Sequence, residues 1–358
     1  MTVFEKSDEH EQVVFFSDHE NGLRAIIAIH STALGPALGG TRFYPYANED
    51  LALQDVLRLS KAMTFKAACA GLDLGGGKAV IIGDPTRQKS EALLRSYGRF
   101  VESLAGRYFT ACDVGTFPAD MDVIARETRY VVGRTVENGG AGDSSILTAF
   151  GLFQGMRAAA QHAWGSPSLA GRVVGVSGAG KVGSHLVDLL IEERSSVLLA
   201  DISADAVEAV RQRYEGVRAV EVGTLEAMPM DIYAPCALGG VLTDAVAVEM
   251  RAQIICGAAN NQLAHAGVAK LLQDRGILYA PDFLVNAGGL IQVADERHGY
   301  DEQRARAHAR AIFDTATRIF TEAAAAGITP TQAGNQLALR RIGEVARLRS
   351  FYLPSRPR

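Results

Sequence analysis

Cysteine and tryptophan are scarce in this chain: four and one among 358 residues. Cys69, Cys112, Cys236 and Cys256 form no CxxC pair, which argues against a disulfide framework or a thiolate zinc site and for a reducing compartment. None of the histidines falls in a spacing such as HExxH, so no metal is expected. No apolar run approaches the ~18 residues needed to cross a bilayer. Neither sign of charge dominates. The formal net charge of −4 gives no global pull toward nucleic acid or an anionic membrane. The opening residues MTVFEKSDEHEQ are too polar for a secretory core. These absences leave a cytoplasmic protein with small-molecule partners, no nucleic acid and no membrane.

What is present suits a full globular core: 48% hydrophobic and 21% charged residues. At roughly 100–200 residues per domain, the length suggests two domains. Two β-rich runs, near 12–17 and 23–30, flank Asn21-Gly22 and predict an antiparallel hairpin. The pattern after Asn48 predicts a helix from Glu49 to Met63. The glycine-rich GLDLGGGK reads as a turn feeding a buried strand, Ala79–Ile82. A helix near 88–105, a strand near Arg107–Ala111 and a polar loop over 133–144 follow. From about 172 the pattern changes to alternating strands and helices: strands at Arg172–Ser177, Val197–Ala200, Asp231–Ala234, Ile254–Cys256 and Ile277–Tyr279, helices at 181–193 and 203–214. That alternation predicts a parallel, doubly wound sheet. Helices are expected near 301–325 and 330–347, the second opened by Pro330. The arginines from Arg340 to Arg358 are read as a solvated helix face and a frayed end.

The strongest local signal is VVGVSGAGKVGSHLV, with Gly178-x-Gly180-x-x-Gly183 between a predicted strand and a predicted helix. Asp201 ends the next strand, 18 residues beyond Gly183. In that context the motif reads as a dinucleotide site. Gly178 permits the turn, Gly180 lets backbone approach a pyrophosphate, and Gly183 lets helix and strand close together. Ala179, Lys181 and Val182 complete the loop, whose amides would meet the phosphates. Asp201 suits ribose hydroxyls and repels a 2′-phosphate, so NAD is expected rather than NADP.

Lys66 and Lys78 both lie among apolar residues or glycines, where an ammonium is costly to desolvate. Each admits two readings: a snorkelling surface lysine, or a lysine of lowered pKa able to serve as a base. Two within 13 residues turn the balance toward function. Asp113 follows a predicted strand beside glycine, placed either to enter a cleft or to cap a turn. Cys112 has no partnered base in the sequence and is read as a wall residue. GGGK does not make a phosphate-binding P-loop: Leu72 stands where the first glycine belongs and Ala79 where Ser or Thr must hold magnesium.

GPALGGTR (35–42), MTFKAACAGLDLGGGKAVI (63–81), DVGT (113–116), ADMD (119–122), GGAGDSS (139–145), the glycine motif, APCALGG (234–240), GAANNQL (257–263) and ILYAPDFLVNAGG (277–289) together resemble the glutamate/leucine/phenylalanine/valine dehydrogenase family. The likeness runs in order over nearly the whole chain and is nearest the valine branch of actinomycete type. It implies an α/β fold: an N-terminal substrate and oligomerisation domain (1–140, with a helix at 330–358 packing back on it), a Rossmann-type NAD-binding domain (141–329), and a cleft between them. It also implies a homo-oligomer.

By the same resemblance, Lys66 would pair with a substrate α-carboxylate, helped by Gly39, Gly40, Met63 and Asn261. Lys78 would be the base that activates water, and Asp113 would hold the amino group. Ser145, Thr148, Cys236, Ala237, Asn260 and Asn286 would border the nicotinamide end of NAD. The side-chain wall would be Leu38, Ala111, Leu290 and Val293. All four are apolar and none could neutralise a glutamate γ-carboxylate, and Leu290 is bulky enough to disfavour an aromatic side chain. The expected activity is therefore oxidative deamination of branched-chain L-amino acids, valine first.

Overall fold

The computed structural model describes residues 3–7 and 9–348. The chain divides into two compact units. One comprises residues up to Gly142, together with Val293–Asp301 and the chain from Ala338. The other comprises Asp143–Gln292 and Glu302–Leu337.

In the first unit, strands β1 (Gln12–Asp18), β2 (Leu23–Ser31), β3 (Ala37–Tyr44), β4 (Gly75–Ile82) and β5 (Tyr108–Cys112) form one sheet in the order β1-β2-β4-β3-β5. β1 and β2 are the expected hairpin, closing at Asp18↔Leu23. Its loop takes positive φ only at Gly22, while the Asp18 carboxylate accepts from the amides of Glu20 and Asn21. β3 runs parallel to both β4 and β5.

Side-chain alternation along the strands decides what covers each face. Ile26, Ala28, Val80 and Ile82 pack with Ala52, Leu53, Val56 and Leu57 of helix α1 (Glu49–Cys69). Ala25, Ile27, Ala79 and Ile81 point the other way, to Leu93, Tyr97 and Phe100 of helix α2 (Glu91–Ser103). Asn48 and Ser90 cap the two helices through their side chains.

Two sequence expectations change here. Helix α1 runs on to Cys69 instead of stopping at Met63, so Lys66 lies in its last turn. Gly75–Gly77 are strand and not turn. Their glycines serve close packing: an added Cβ would fall 1.9 Å from Ser31 O at Gly75, 2.1 Å from Thr64 N at Gly76 and 2.7 Å from the Tyr108 ring at Gly77.

The second unit holds α3 (Ser145–Trp164), β6 (Val173–Ser177), α4 (Lys181–Glu192), β7 (Ser196–Ala200), α5 (Ala204–Arg213), β8 (Arg218–Ala219), β9 (Ile232–Pro235), β10 (Ile254–Ile255) and β11 (Leu278–Tyr279). The sheet order is β11-β10-β9-β6-β7-β8, every pair parallel. Counted within this sheet, that is 6-5-4-1-2-3, the doubly wound order whose direction reverses between its first and fourth strands. α3 was not anticipated. The expected helix at 301–325 is two, Glu302–Arg310 and Ile312–Ala326. The last helix spans Pro330–Leu348; the rest of the expected arginine-rich tail, and of the helix placed at 330–358, lies outside the described residues. No helix among the described residues is long and apolar enough to cross a membrane.

Candidate active site

Strand register brings the polar residues of the first unit together. The pairs Thr41↔Ala79 and Gly40↔Ala111 set Gly40 of β3 between Lys78 of β4 and the end of β5, where Asp113 follows. By alternation Leu38, Gly40, Arg42, Lys78 and Ala111 all face α1, the helix that carries Met63 and Lys66. Lys78 is 5% exposed, and its ammonium donates to Asp113 Oδ2. The contact passes over Gly40. A Cβ there would sit 2.5 Å from Cys112 O and 2.9 Å from Asp113 Cβ. Gly39 faces the other way, its missing Cβ filled by the Gly77 carbonyl 1.8 Å off.

Burial, then the charges of Arg42 and Lys66, push the Lys78 ammonium down to about 7. Desolvation disfavours the charged form, and neighbouring cations add to it. A lysine so placed is a free amine over much of the physiological range, able to take a proton from water. Asp113 is held at both oxygens. Oδ1 accepts from Val114 N at 2.6 Å and Arg42 Nε at 3.2 Å, and Oδ2 meets Lys78. Lys66 is half-buried, three residues from Met63 and hence on its face of α1. The C-terminus of α1 is tied down from far along the chain: the Arg341 guanidinium donates to Ala68 O, Leu72 O and Gly71 O at 2.9–3.0 Å and pairs with Asp73.

In the second unit the glycine motif lies at the carboxyl end of β6, beside the point where strand order reverses. Cys236, just past β9, donates its amide to Ser177 O at 2.7 Å. Gly178 has φ +117°, and a Cβ on it would meet the Ala237 amide at 2.9 Å. At Gly183 a Cβ would fall 1.9 Å from Gly178 O, whereas at Gly180 nothing lies within 4 Å. Gly180 begins α4 with no side-chain cap, which leaves the first-turn amides without the acceptor such a cap would supply. The Asp201 carboxylate accepts from Ala179 N at 2.6 Å, which fixes it beside the loop. Packed motif glycines, one open glycine, an uncapped helix start and an adjacent carboxylate fit a dinucleotide's pyrophosphate and ribose.

The other residues assigned to that end follow the same strand ends. Asn286 is buried and donates to Ala258 O and to Asn260 Oδ1 at 2.8 Å. Asn261 takes positive φ, 52°, and its carbonyl accepts from Gly240 N. The start of α3 is linked to α4 by Lys181–Asp143 at 3.0 Å, Asp143 also accepting from Ser145 N. Thr148 lies one turn on, against Gly289. Leu290 and Val293 share a face of the helix Gly288–Asp295, the first buried and the second half-buried. The four cysteines are free, and among the described residues no His/Cys/Asp/Glu grouping could hold a metal.

Residues 10–130 match the family profile described as the Glu/Leu/Phe/Val dehydrogenase dimerisation domain, and residues 198–349 match that of Glutamate/Leucine/Phenylalanine/Valine dehydrogenase. The chain belongs to this family. It is 59% identical to a valine dehydrogenase of Streptomyces albus, over 94% of this chain and 93% of that protein. It is 46% identical to a leucine dehydrogenase of Geobacillus stearothermophilus, over 96% and 94%. Among solved structures, L-tryptophan dehydrogenase from Nostoc punctiforme superposes with a TM-score of 0.87 at 44% identity, covering 97% of this chain and 100% of that one. The chain is thus an amino-acid dehydrogenase with a domain of the dimerisation type.

Sequence reasoning about this dehydrogenase missed Arg42. Its Nη1 pairs with Asp55 at 2.7 Å while its Nε reaches Asp113, and Tyr46 and Arg58 complete the shell of Asp55. The signal available was an arginine as the one charged residue of the strand ALGGTRFY, which needs partners to be tolerated where it is partly buried.

Proposed function

We propose that this dehydrogenase oxidatively deaminates branched-chain L-amino acids, valine first, to 2-oxo acid, ammonium and NADH. The reading rests above all on Lys78, an ammonium enclosed within a sheet and held near neutrality beside a doubly anchored carboxylate. When bound, NAD supplies the acceptor for the hydride that leaves Cα. Lys66 holds the α-carboxylate, with the Gly39–Gly40 strand assisting and Met63 on the same face of α1. The substrate amino group takes the place of Lys78 at Asp113 Oδ2, which leaves Lys78 free to deprotonate a water. Asp113 takes a proton from the substrate ammonium before the hydride leaves; the water's oxygen then adds to the iminium carbon, Asp113 returns that proton to nitrogen, and the nitrogen departs with the hydroxyl proton as ammonium while the carbonyl forms. Lys78 is a competent base here because its pKa lies near the working pH.

For the dinucleotide, Gly178, Ala179, Gly180, Lys181, Val182 and Gly183 would cradle the pyrophosphate. Ser145, Thr148, Cys236, Ala237, Asn260 and Asn286 would border the nicotinamide half. The Asp201 carboxylate beside Ala179 favours a free ribose 2′-hydroxyl over a phosphate, hence NAD. Leu38 and Ala111 are apolar positions on the Lys78 face, and Leu290 and Val293 are apolar positions on their helix. A glutamate γ-carboxylate would meet no cation at any of them. The 59% identity to valine dehydrogenase supports valine ahead of its larger relatives. One methylene changes selectivity by only roughly 1–3 kcal/mol, so leucine and isoleucine should also react. A homo-oligomer in the cytoplasm completes the proposal.

The test is a panel of L-amino acids with NAD and with NADP, following the absorbance of the reduced cofactor. Highest kcat/KM with valine and NAD is expected. No reduction with any branched-chain substrate would overturn the assignment.

A further inference from the structure

We infer that Arg42, pinned by Asp55, is a positioning residue of the deamination site: it fixes which oxygen of Asp113 meets the substrate and keeps a positive charge against Lys78. The inference rests on the function proposed above. Arg42 lies on β3, on the face that also bears Lys78, and its guanidinium spans two carboxylates, Asp55 Oδ2 at 2.7 Å and Asp113 Oδ1 at 3.2 Å. The same Asp113 oxygen accepts from Val114 N. Oδ1 is therefore committed to the scaffold, and Oδ2 alone is left to exchange Lys78 for an incoming amino group.

Asp55 makes the arrangement rigid. Its Oδ2 also accepts from Tyr46 Oη at 2.7 Å, and its Oδ1 accepts from Arg58 at 2.8 Å. Burial opposes ionisation of Asp55, yet the Tyr46 hydroxyl and Arg42 hold its carboxyl below the ordinary value. It therefore stays an anion able to anchor the guanidinium. A planar fork held at two points transmits orientation in a way a flexible ammonium does not.

The charged groups facing Lys78 are few. β3 contributes Arg42, the end of β5 contributes Asp113, and α1 contributes Asp55, Arg58 and Lys66. β2 presents Ala28 opposite Lys78, and no other residue of β4 is charged. Arg42 and Asp55 act on the Lys78 proton in opposite senses, Arg42 lowering its affinity and Asp55 raising it.

That opposition supplies the test. The full-length enzyme, its Arg42→Gln, Arg42→Lys and Asp55→Asn variants are compared by kcat/KM against pH in the oxidative direction, with the amino acid the unaltered enzyme uses best. NADH binding is followed separately by fluorescence. Arg42→Gln should move the acidic limb to higher pH by about one unit and lower kcat, with NADH affinity unchanged. Asp55→Asn should move the limb to lower pH. Arg42→Lys should restore the position of the limb but not the full kcat. Limbs that stay in place, or that shift in the same direction in Arg42→Gln and Asp55→Asn, would overturn the inference. If Arg42→Gln does not fold, the downward shift in Asp55→Asn and the split in Arg42→Lys still decide it. Failure of the underlying function would show earlier, as an unaltered enzyme inactive with every amino acid.

Discussion

Two glycine-rich stretches of this chain each run into a lysine, Gly75–Gly77 into Lys78 and Gly178–Gly180 into Lys181, and the two lysines end in opposite surroundings. Lys78 is 5% exposed. The Lys181 side chain is 77% exposed and reaches Asp143 at the surface. In the first stretch every glycine is used up internally, because protein atoms occupy the volume of each missing Cβ within 2.7 Å. The packing that results is what dries the lysine. In the second, Gly178 and the following Gly183 are filled in the same way, but Gly180 between them faces open space. Glycine there makes room for something from outside. Similar strings of letters thus produce a buried lysine in one case and an open, uncapped helix start in the other. What separates them is whether the glycines lie within a strand, as in β4, or lead into a helix start, as at α4.

Substitutions can break this contrast. Lys78→Ala should lower kcat by ~10²–10⁴-fold while leaving NADH affinity intact, measured by steady-state kinetics and fluorescence titration. Gly40→Ala should cost about 100-fold in kcat/KM, because the new methyl displaces Asp113 by a fraction of an ångström and alignment is lost. Gly183→Ala should lower both Tm and cofactor affinity, since its Cβ meets a carbonyl; Gly180→Ala should leave Tm unchanged and weaken NAD binding alone. Thermal unfolding with and without NADH separates the two. The pH dependence has a definite sign. Below pH about 7 Lys78 carries its proton and cannot act as a base, so kcat/KM should fall about tenfold per unit there and level off above. Lys181→Ala keeps the backbone amide that would meet the pyrophosphate and removes only an exposed ion pair, so kcat/KM for the amino acid at saturating NAD should change less than about twofold.

The same contrast explains what was legible in the sequence. The second sheet shows because its strands are apolar runs between amphipathic helices, and its glycine motif carries a known mechanical meaning. β3 stayed hidden: ALGGTRFY has two glycines and an arginine, and its strand character comes from pairing with β4 and β5. α3 stayed hidden for another reason. Thirteen of its residues, including both faces of the AFGLFQGM stretch, are buried, so no apolar stripe marks a period. The end of α1 is hard to read because Thr64, Phe65 and Lys66 blur its apolar stripe, yet the helix runs on to Cys69 and closes on the amides of Ala70, Gly71 and Leu72. Lys66, Lys78 and Asp113 stood out because their neighbours are small and apolar. Arg42 did not, because its partners lie 13 and 71 residues away, a distance only the fold can close.

The grip of Arg341 on the end of α1 has a consequence for how the enzyme comes into being. Its hydrogen bonds to Ala68, Gly71 and Leu72 join residues some 270 positions apart. The last carbonyls of α1 close locally, on the amides of Ala70, Leu72 and Gly71, so the helix bearing Lys66 can form early, while the clamp on the Gly71 and Leu72 carbonyls that follow it waits until residue 341 has been made. A chain clipped before residue 341 would keep both lysines and the aspartate but lose this clamp on the link between α1 and β4, so that link joins the order in which the unit folds to a residue made long after it.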